Sequence, residues 1–220
     1  MKYLYLLGLF LLSPIIHGQE VPAYGFVELV NAVVSKERLN VEIDGKELVK
    51  GGIRPNACTG GFILPAGPHD ANLTIDGIPS RGGKIEVEAG KTKVYAIYLR
   101  PNKAKDKDEV PYVLSLKPLS GPESGKGFHL KLFNLCPEDH EISLNRKKVA
   151  LTANRSMDYP GWRGGQMEVK KGRKIIGRSL VEEAGTYHLI VATDHQGNYS
   201  SSFVRILDYE LPPWFEAAEE

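Results

Sequence analysis

Cysteine is scarce: Cys58 and Cys136 are the only two in 220 residues. Two are too few for a disulfide-built scaffold or an all-cysteine zinc site. Charge of one sign is also lacking, with 28 Lys+Arg against 27 Asp+Glu. The whole-chain field therefore gives no reason to expect nucleic acid as a partner. Beyond residue 18 there is no long apolar run, so nothing in the mature sequence would span a membrane. No stretch sustains a helical period. Neither a His-Glu-x-x-His nor a Gly-x-Ser-x-Gly motif occurs. The run Gly121-Pro122-Glu123-Ser124-Gly125-Lys126-Gly127 is no phosphate loop. It has one residue too few between its glycines, and Gly127 stands where a magnesium-ligating Ser or Thr belongs. No metal or cofactor is expected.

What the chain has is turn formers, 23 Gly and 14 Pro, which favour β structure over helix bundles. Residues 1–18 read as a signal peptide. Lys2 gives the positive start, Leu4 to Leu12 the apolar stretch, Ser13-Pro14 the break, and Gly18 a small residue for cleavage. The apolar stretch falls short of the roughly 20 residues a membrane span needs. The expected address is secreted or periplasmic, with no membrane-spanning segment after cleavage.

The mature sequence carries an internal repeat. Gly25-Phe26-Val27-Glu28-Leu29-Val30-Asn31 matches Gly127-Phe128-His129-Leu130-Lys131-Leu132-Phe133-Asn134 with one residue inserted. Leu39-Asn40-Val41-Glu42-Ile43-Asp44 matches Glu141-Ile142-Ser143-Leu144-Asn145, and Ala89-Gly90 matches Ala184-Gly185. Val41 and Ile43 alternate with Asn40 and Glu42, and Ile85 and Val87 with Glu86 and Glu88, which is the period of half-buried strands. The stretch from Val94 to Leu99 is apolar on both faces, so that strand is expected to be central. Each copy closes with a hairpin.

The expected fold is all-β, with two tandem Ig-like antiparallel β-sandwich domains after the signal peptide. The boundaries are 1–18 signal peptide, 19–117 first domain, 118–126 linker, 127–208 second domain and 209–220 tail. The linker is marked by its Pro, Gly and Ser content. In the tail, Trp214 and Phe215 are expected to dock on the body, since large aromatics seek burial.

The first copy resembles a family of secreted bacterial β-sandwich domains of unknown function. The resemblance rests on Val27-Glu28-Leu29-Val30-Asn31-Ala32, Val41-Glu42-Ile43-Asp44-Gly45, Leu64-Pro65-Ala66-Gly67 and Ile85-Glu86-Val87-Glu88-Ala89-Gly90-Lys91. It covers about 75 residues, and the second copy keeps only Asn134 and Ala184-Gly185. Because these motifs are turn chemistry on strands, the resemblance implies a fold and brings no catalytic residues.

Three groups are chemical candidates. From Arg146 to Arg178 ten basic residues face only Asp158 and Glu168. Arg163, Lys170, Lys171, Arg173 and Lys174, with Trp162, are the candidate binding set for an anion such as an acidic glycan. Strand residues simply pointing to water are the alternative. Glu138-Asp139-His140-Glu141 is the densest polar group and reads as a solvated turn, and His69-Asp70 is expected to be exposed. Cys58 and Cys136, one per copy, would form an interdomain disulfide if they bridged, and otherwise stay separate buried thiols. The expected function is a non-catalytic binding or structural protein of the cell envelope, with an envelope protein or anionic glycan as partner. The alternative is a hydrolase or metal-dependent enzyme with its site between the domains.

Overall fold

The computed structural model describes residues 23–102, 112–121, 123 and 126–211. Residues 1–18, expected to be a signal peptide, and Trp214 and Phe215 lie outside them. Among the described residues the chain is all-β, with no helix. The first half contributes β1 (Tyr24–Asn31), β2 (Asn40–Ile43), β3 (Lys46–Glu47), β4 (Phe62–Pro65), β5 (Gly67–Ile75), β6 (Ile78–Val87), β7 (Thr92–Pro101) and β8 (Tyr112–Leu119). The second contributes β9 (Phe128–Asn134), β10 (His140–Leu144), β11 (Lys147–Leu151), β12 (Ser156–Asp158), β13 (Gly165–Lys171), β14 (Lys174–Val181), β15 (Gly185–Thr193) and β16 (Tyr199–Ile206).

They form four sheets of four strands, in the orders β4-β1-β7-β8, β3-β2-β5-β6, β12-β9-β15-β16 and β11-β10-β13-β14. Raising each label of the first half by eight gives the second half. In both, the first strand runs parallel to the seventh, while the other pairs are antiparallel. The expected alternation holds on β2, where Val41 and Ile43 are buried and Asn40 and Glu42 exposed.

Strand register gives a residue-by-residue correspondence that letter matching missed. Asn31 lies opposite Ile97 and Phe26 opposite Thr92. Asn134 lies opposite Val191 and His129 opposite Thr186. Thr92 therefore corresponds to Thr186, one residue off the match through Ala89-Gly90 and Ala184-Gly185. In a strand one residue decides which face a side chain takes. The two asparagines do the same work. Asn31 Oδ1 accepts the Val33 N–H at 3.0 Å and its Nδ2 donates to the Ile53 carbonyl at 3.0 Å. Asn134 Oδ1 accepts the Cys136 N–H at 2.9 Å and its Nδ2 donates to the Glu138 carbonyl at 3.1 Å. Both are buried, and the Val33 and Cys136 N–H groups that they accept from are buried with them.

Each half has a core between its own two sheets, the first around Leu29, Leu39, Leu73, Ile85 and Ile97, the second around Leu132, Ile142, Met167 and Leu189. A third core joins the halves. Val30, Ala32, Val94, Ala96, Tyr98 and Leu119 meet Phe133, Leu135, Ile190, Ala192, Val204 and Ile206. This is why β7 is apolar on both faces: one face serves its own half, the other the neighbouring half. β8 also continues through Pro118 and Leu119, so the strand takes up positions that composition assigned to the linker. Pro118 is tolerated because β8 is an edge strand.

The segments after β8 and β16 cross between the halves reciprocally. The Glu123 N–H donates to Thr186 Oγ1 at 3.0 Å, and the Tyr209 N–H donates to the corresponding Thr92 Oγ1 at 3.0 Å. Tyr209 also stacks on Phe26 with ring centroids 5.5 Å apart. It packs so closely on Gly61 that a Cβ there would come within 2.7 Å of the ring.

Candidate functional site

The basic strip divides along β13. Trp162 lies before the start of this strand, in an aromatic cluster with Phe128, Tyr187 and Phe203 at centroid distances of 5.6, 5.3 and 5.9 Å. Lys170, Lys171, Arg173 and Lys174 lie at the other end, around the turn where Lys171 pairs with Lys174. An extended chain advances about 3.3 Å per residue, so Trp162 and the lysine turn are separated by the length of the strand and form no common face. Arg163 stays beside Trp162. Lys170 is paired with Glu168 at 2.6 Å. Lys171 Nζ donates to the Glu141 carbonyl at 3.3 Å and sits 5.1 Å from the centre of the Tyr199 ring. Arg163, Arg173 and Lys174 are exposed and make no ion pair among the described residues.

The acidic-histidine group also comes apart. Asp139 Oδ1 accepts the Ala153 N–H at 2.7 Å, closing a loop. His140 turns its ring edge-on to Tyr199 at 5.3 Å, and burial lowers its pKa. Among the described residues no three His, Cys, Asp or Glu groups converge on a metal position.

His188 is fully buried between the halves, 4.7 Å from the Phe133 ring, with Ser120 Oγ 3.5 Å from its Nε2. Burial, reinforced by the charge of Lys131, pushes its pKa down to about 3, so it stays neutral. The cysteines are both free, Cys58 exposed and Cys136 buried. Cys136 belongs to the second half's own core, and burial pushes its thiol up to about 12. Cys58 pairs opposite Val30, on the edge of the first half. The bridge weighed from sequence is not formed, because the two thiols belong to different layers. Cys58 instead lies beside Glu28, a carboxyl that is 2% exposed, with Oε2 unpartnered. Burial raises the pKa of Glu28, and the Cys58 contact opposes that shift. Lys131 takes the corresponding place in the second half, where it pairs with Asp158 at 3.5 Å and Glu123 at 3.7 Å.

His69 is buried, at 9% exposure, where the sequence reading placed it in solvent. Its Nδ1 lies 2.6 Å from Asp44 Oδ2 and its Nε2 2.8 Å from the Pro65 carbonyl. Both partners only accept hydrogen bonds, so the ring binds best with both nitrogens protonated. Burial pushes its pKa down, but the Asp44 and Pro65 contacts outweigh this and the net shift is upward. The His69 contact and the Asp70 N–H lower the pKa of Asp44. Sequence patterning missed this clasp because it joins the Asp44-Gly45 turn to β5 across 25 residues.

The widest difference between the halves is at the gap between their sheet edges. In the first half Leu116 of β8 packs against Gly83 of β6, where a Cβ would meet its Cδ1 at 2.8 Å. By register, Leu116 corresponds to Ser201 and Gly83 to Gly177. Ser201 Oγ donates to the Ile176 carbonyl at 3.3 Å and leaves a cavity of about 320 Å³. Met167, Val169, Ile176, Leu189 and Phe203 form its apolar wall, with Arg178, Ser179, Ser201 and Asn56 as polar lining. The first-half gap is about 220 Å³, and Arg81, Lys84 and Arg100 are among its lining residues.

No family model matches the chain, and neither does any curated protein sequence. Among the described residues no helix is long and apolar enough to cross a membrane.

Proposed function

We propose that this is an exported, non-catalytic binding or structural protein of the cell envelope, built from two tandem Ig-like sandwich domains of the secreted family that its first copy resembles. The observation that carries this reading is the third core. Six apolar side chains from each half fill the space between the inner sheets, which is where an interdomain catalytic groove would have to open. Recognition is then left to the rims and outer edges, as is usual for sandwiches. His69 is engaged in holding its strands together, and His188 is buried against the Phe133 ring.

The partner in this reading is an envelope protein or an anionic glycan. The exposed cations Arg163, Arg173 and Lys174 supply two separate basic points on the second half. The test is an affinity pulldown from envelope extract with the mature chain, together with N-terminal sequencing of the exported protein. Recovery of a specific envelope component by a chain that begins after Gly18 supports the reading. A chain retained in the cytoplasm with residues 1–18 intact overturns it. Salt-dependent retention on heparin, lost on changing Arg163, Arg173 and Lys174 to Glu, supports the anionic partner. No retention at low salt removes that partner.

A further inference from the structure

We propose that the gap between β14 and β16 binds a small amphipathic monocarboxylate, with its apolar body between the sheets and its carboxylate at the mouth. This names a ligand class for the binding protein proposed above, and it rests on that reading.

The cavity is of ligand size. At about 320 Å³ it falls in the usual range for small-molecule sites, which combine an apolar wall with a few fixed polar groups. Met167 and Val169 come from one sheet, and Leu189 and Phe203 from the other. Met167, Val169 and Leu189 are themselves buried, so the second half's own core forms the floor of the cavity. The first half shows what narrows such a gap: a leucine over the edge glycine leaves about 220 Å³. The second half keeps the glycine and has serine in place of the leucine, so the gap is wider on the same backbone.

The mouth favours an anionic head. Arg178 Nη2 lies 3.1 Å from Glu168, and Lys170 Nζ lies 2.6 Å from the same carboxylate. Two cations thus share one anion, leaving net positive charge beside the opening. Asn56 reaches the mouth from the first half. Its Oδ1 accepts from Ser200 Oγ at 3.2 Å and from Ser202 Oγ at 3.0 Å. Its amide nitrogen, which has no partner among the described residues, is left to donate. Its backbone φ of 59° is the left-handed conformation that asparagine tolerates better than most residues. The site is thus complete only because the halves are fused: the first half supplies a donor to a cavity in the second.

The test titrates the intact mature chain with octanoate, 1-octanol and acetate, followed by amide NMR shifts. Octanoate is expected to saturate the amides of Val169, Gly177 and Ser201 with a Kd of about 0.1–1 mM, given its size. Octanol, which lacks the charge, is expected to bind at least about fivefold more weakly, and acetate, which lacks the body, not to saturate. Ser201→Leu copies the first half and should weaken octanoate binding at least about tenfold while melting no lower than the wild type. Arg178→Gln, an exposed change, should weaken octanoate about threefold or more and leave octanol unchanged, so the outcome does not rest on one variant. Absence of saturable shifts at these amides, or wild-type affinity in a folded Ser201→Leu, overturns the site. Equal affinity for octanol and octanoate overturns the carboxylate head. None of these results depends on export or on the envelope pulldown, so failure of the site and failure of the broader reading are separable.

Discussion

At corresponding places the two halves use different side chains on the same backbone ladder. The first closes its turn with a charged pair: Asp44 accepts the Asp70 N–H at 2.9 Å and holds His69. The second closes it with an amide: Asn145 accepts the Glu168 N–H at 2.7 Å and donates to the Gln166 carbonyl at 2.8 Å. The first buries Glu28 where the second has the ion-paired Lys131. The first narrows its edge gap with Leu116 where the second has Ser201. The backbone bonds at the turn survive the exchange, Asp44 N–H to Asp70 at 2.8 Å and Asn145 N–H to Glu168 at 3.0 Å. The fold is thus carried by the positions that do not vary, Asn31 with Asn134 and Thr92 with Thr186. The variable positions set charge and cavity.

The largest effect is expected where the halves agree. Asn31→Ala and Asn134→Ala each strand a buried backbone donor and acceptor and should each cost roughly 2–4 kcal/mol. Urea denaturation of the two variants would show similar losses, and a loss in only one would break the equivalence. Leu116→Ser makes the first half resemble the second. It should cost about 1–2 kcal/mol, because the side chain is half-buried, and the same denaturation measurement checks it. Thr92→Val and Thr186→Val should each cost about 1 kcal/mol. Hydrogen exchange should then speed up at the Tyr209 amide in the first variant and at the Glu123 amide in the second, without crossover.

The smallest effect is the pH dependence of the clasp, because Asp44 is half exposed and screened by solvent. His69 is raised in the folded state, so its contribution is complete below the unfolded histidine value of about 6.5 and is lost as pH rises through the higher folded value. Asp44 is lowered, so its contribution is present above its unfolded value of about 3.9 and is lost as pH falls through the lower folded value. Melting temperature should therefore decline as pH rises above about 6.5 in the wild type, and Asp44→Asn should flatten that decline. A decline unchanged by Asp44→Asn would assign it to another group.

The sequence made the strands legible wherever a period of two meets a single core, as at Val41, Ile43, Ile85 and Val87. It also marked the turn at Asp44-Gly45. The third core was half legible. Val94 to Leu99 is visibly apolar on both faces, but periodicity cannot say that the second cover is the other half. The candidate cavity was not legible at all, because Leu116 and Ser201 align only through the ladder register. The basic strip was misleading for a related reason. Residues near in sequence along an extended strand are distant in space, and proximity in the list placed Trp162 beside lysines that lie at the far end of β13.

The reciprocal crossing of Glu123 and Tyr209 has a consequence for the order in which the molecule is completed. Thr92 receives its last hydrogen bond from a residue 117 positions later. The amino-terminal half therefore cannot reach its finished state until almost the whole chain is available, and such long-range closure slows folding. The half made first therefore keeps an unfilled acceptor at Thr92 and an uncovered ring at Phe26 until the half made last delivers Tyr209 to both.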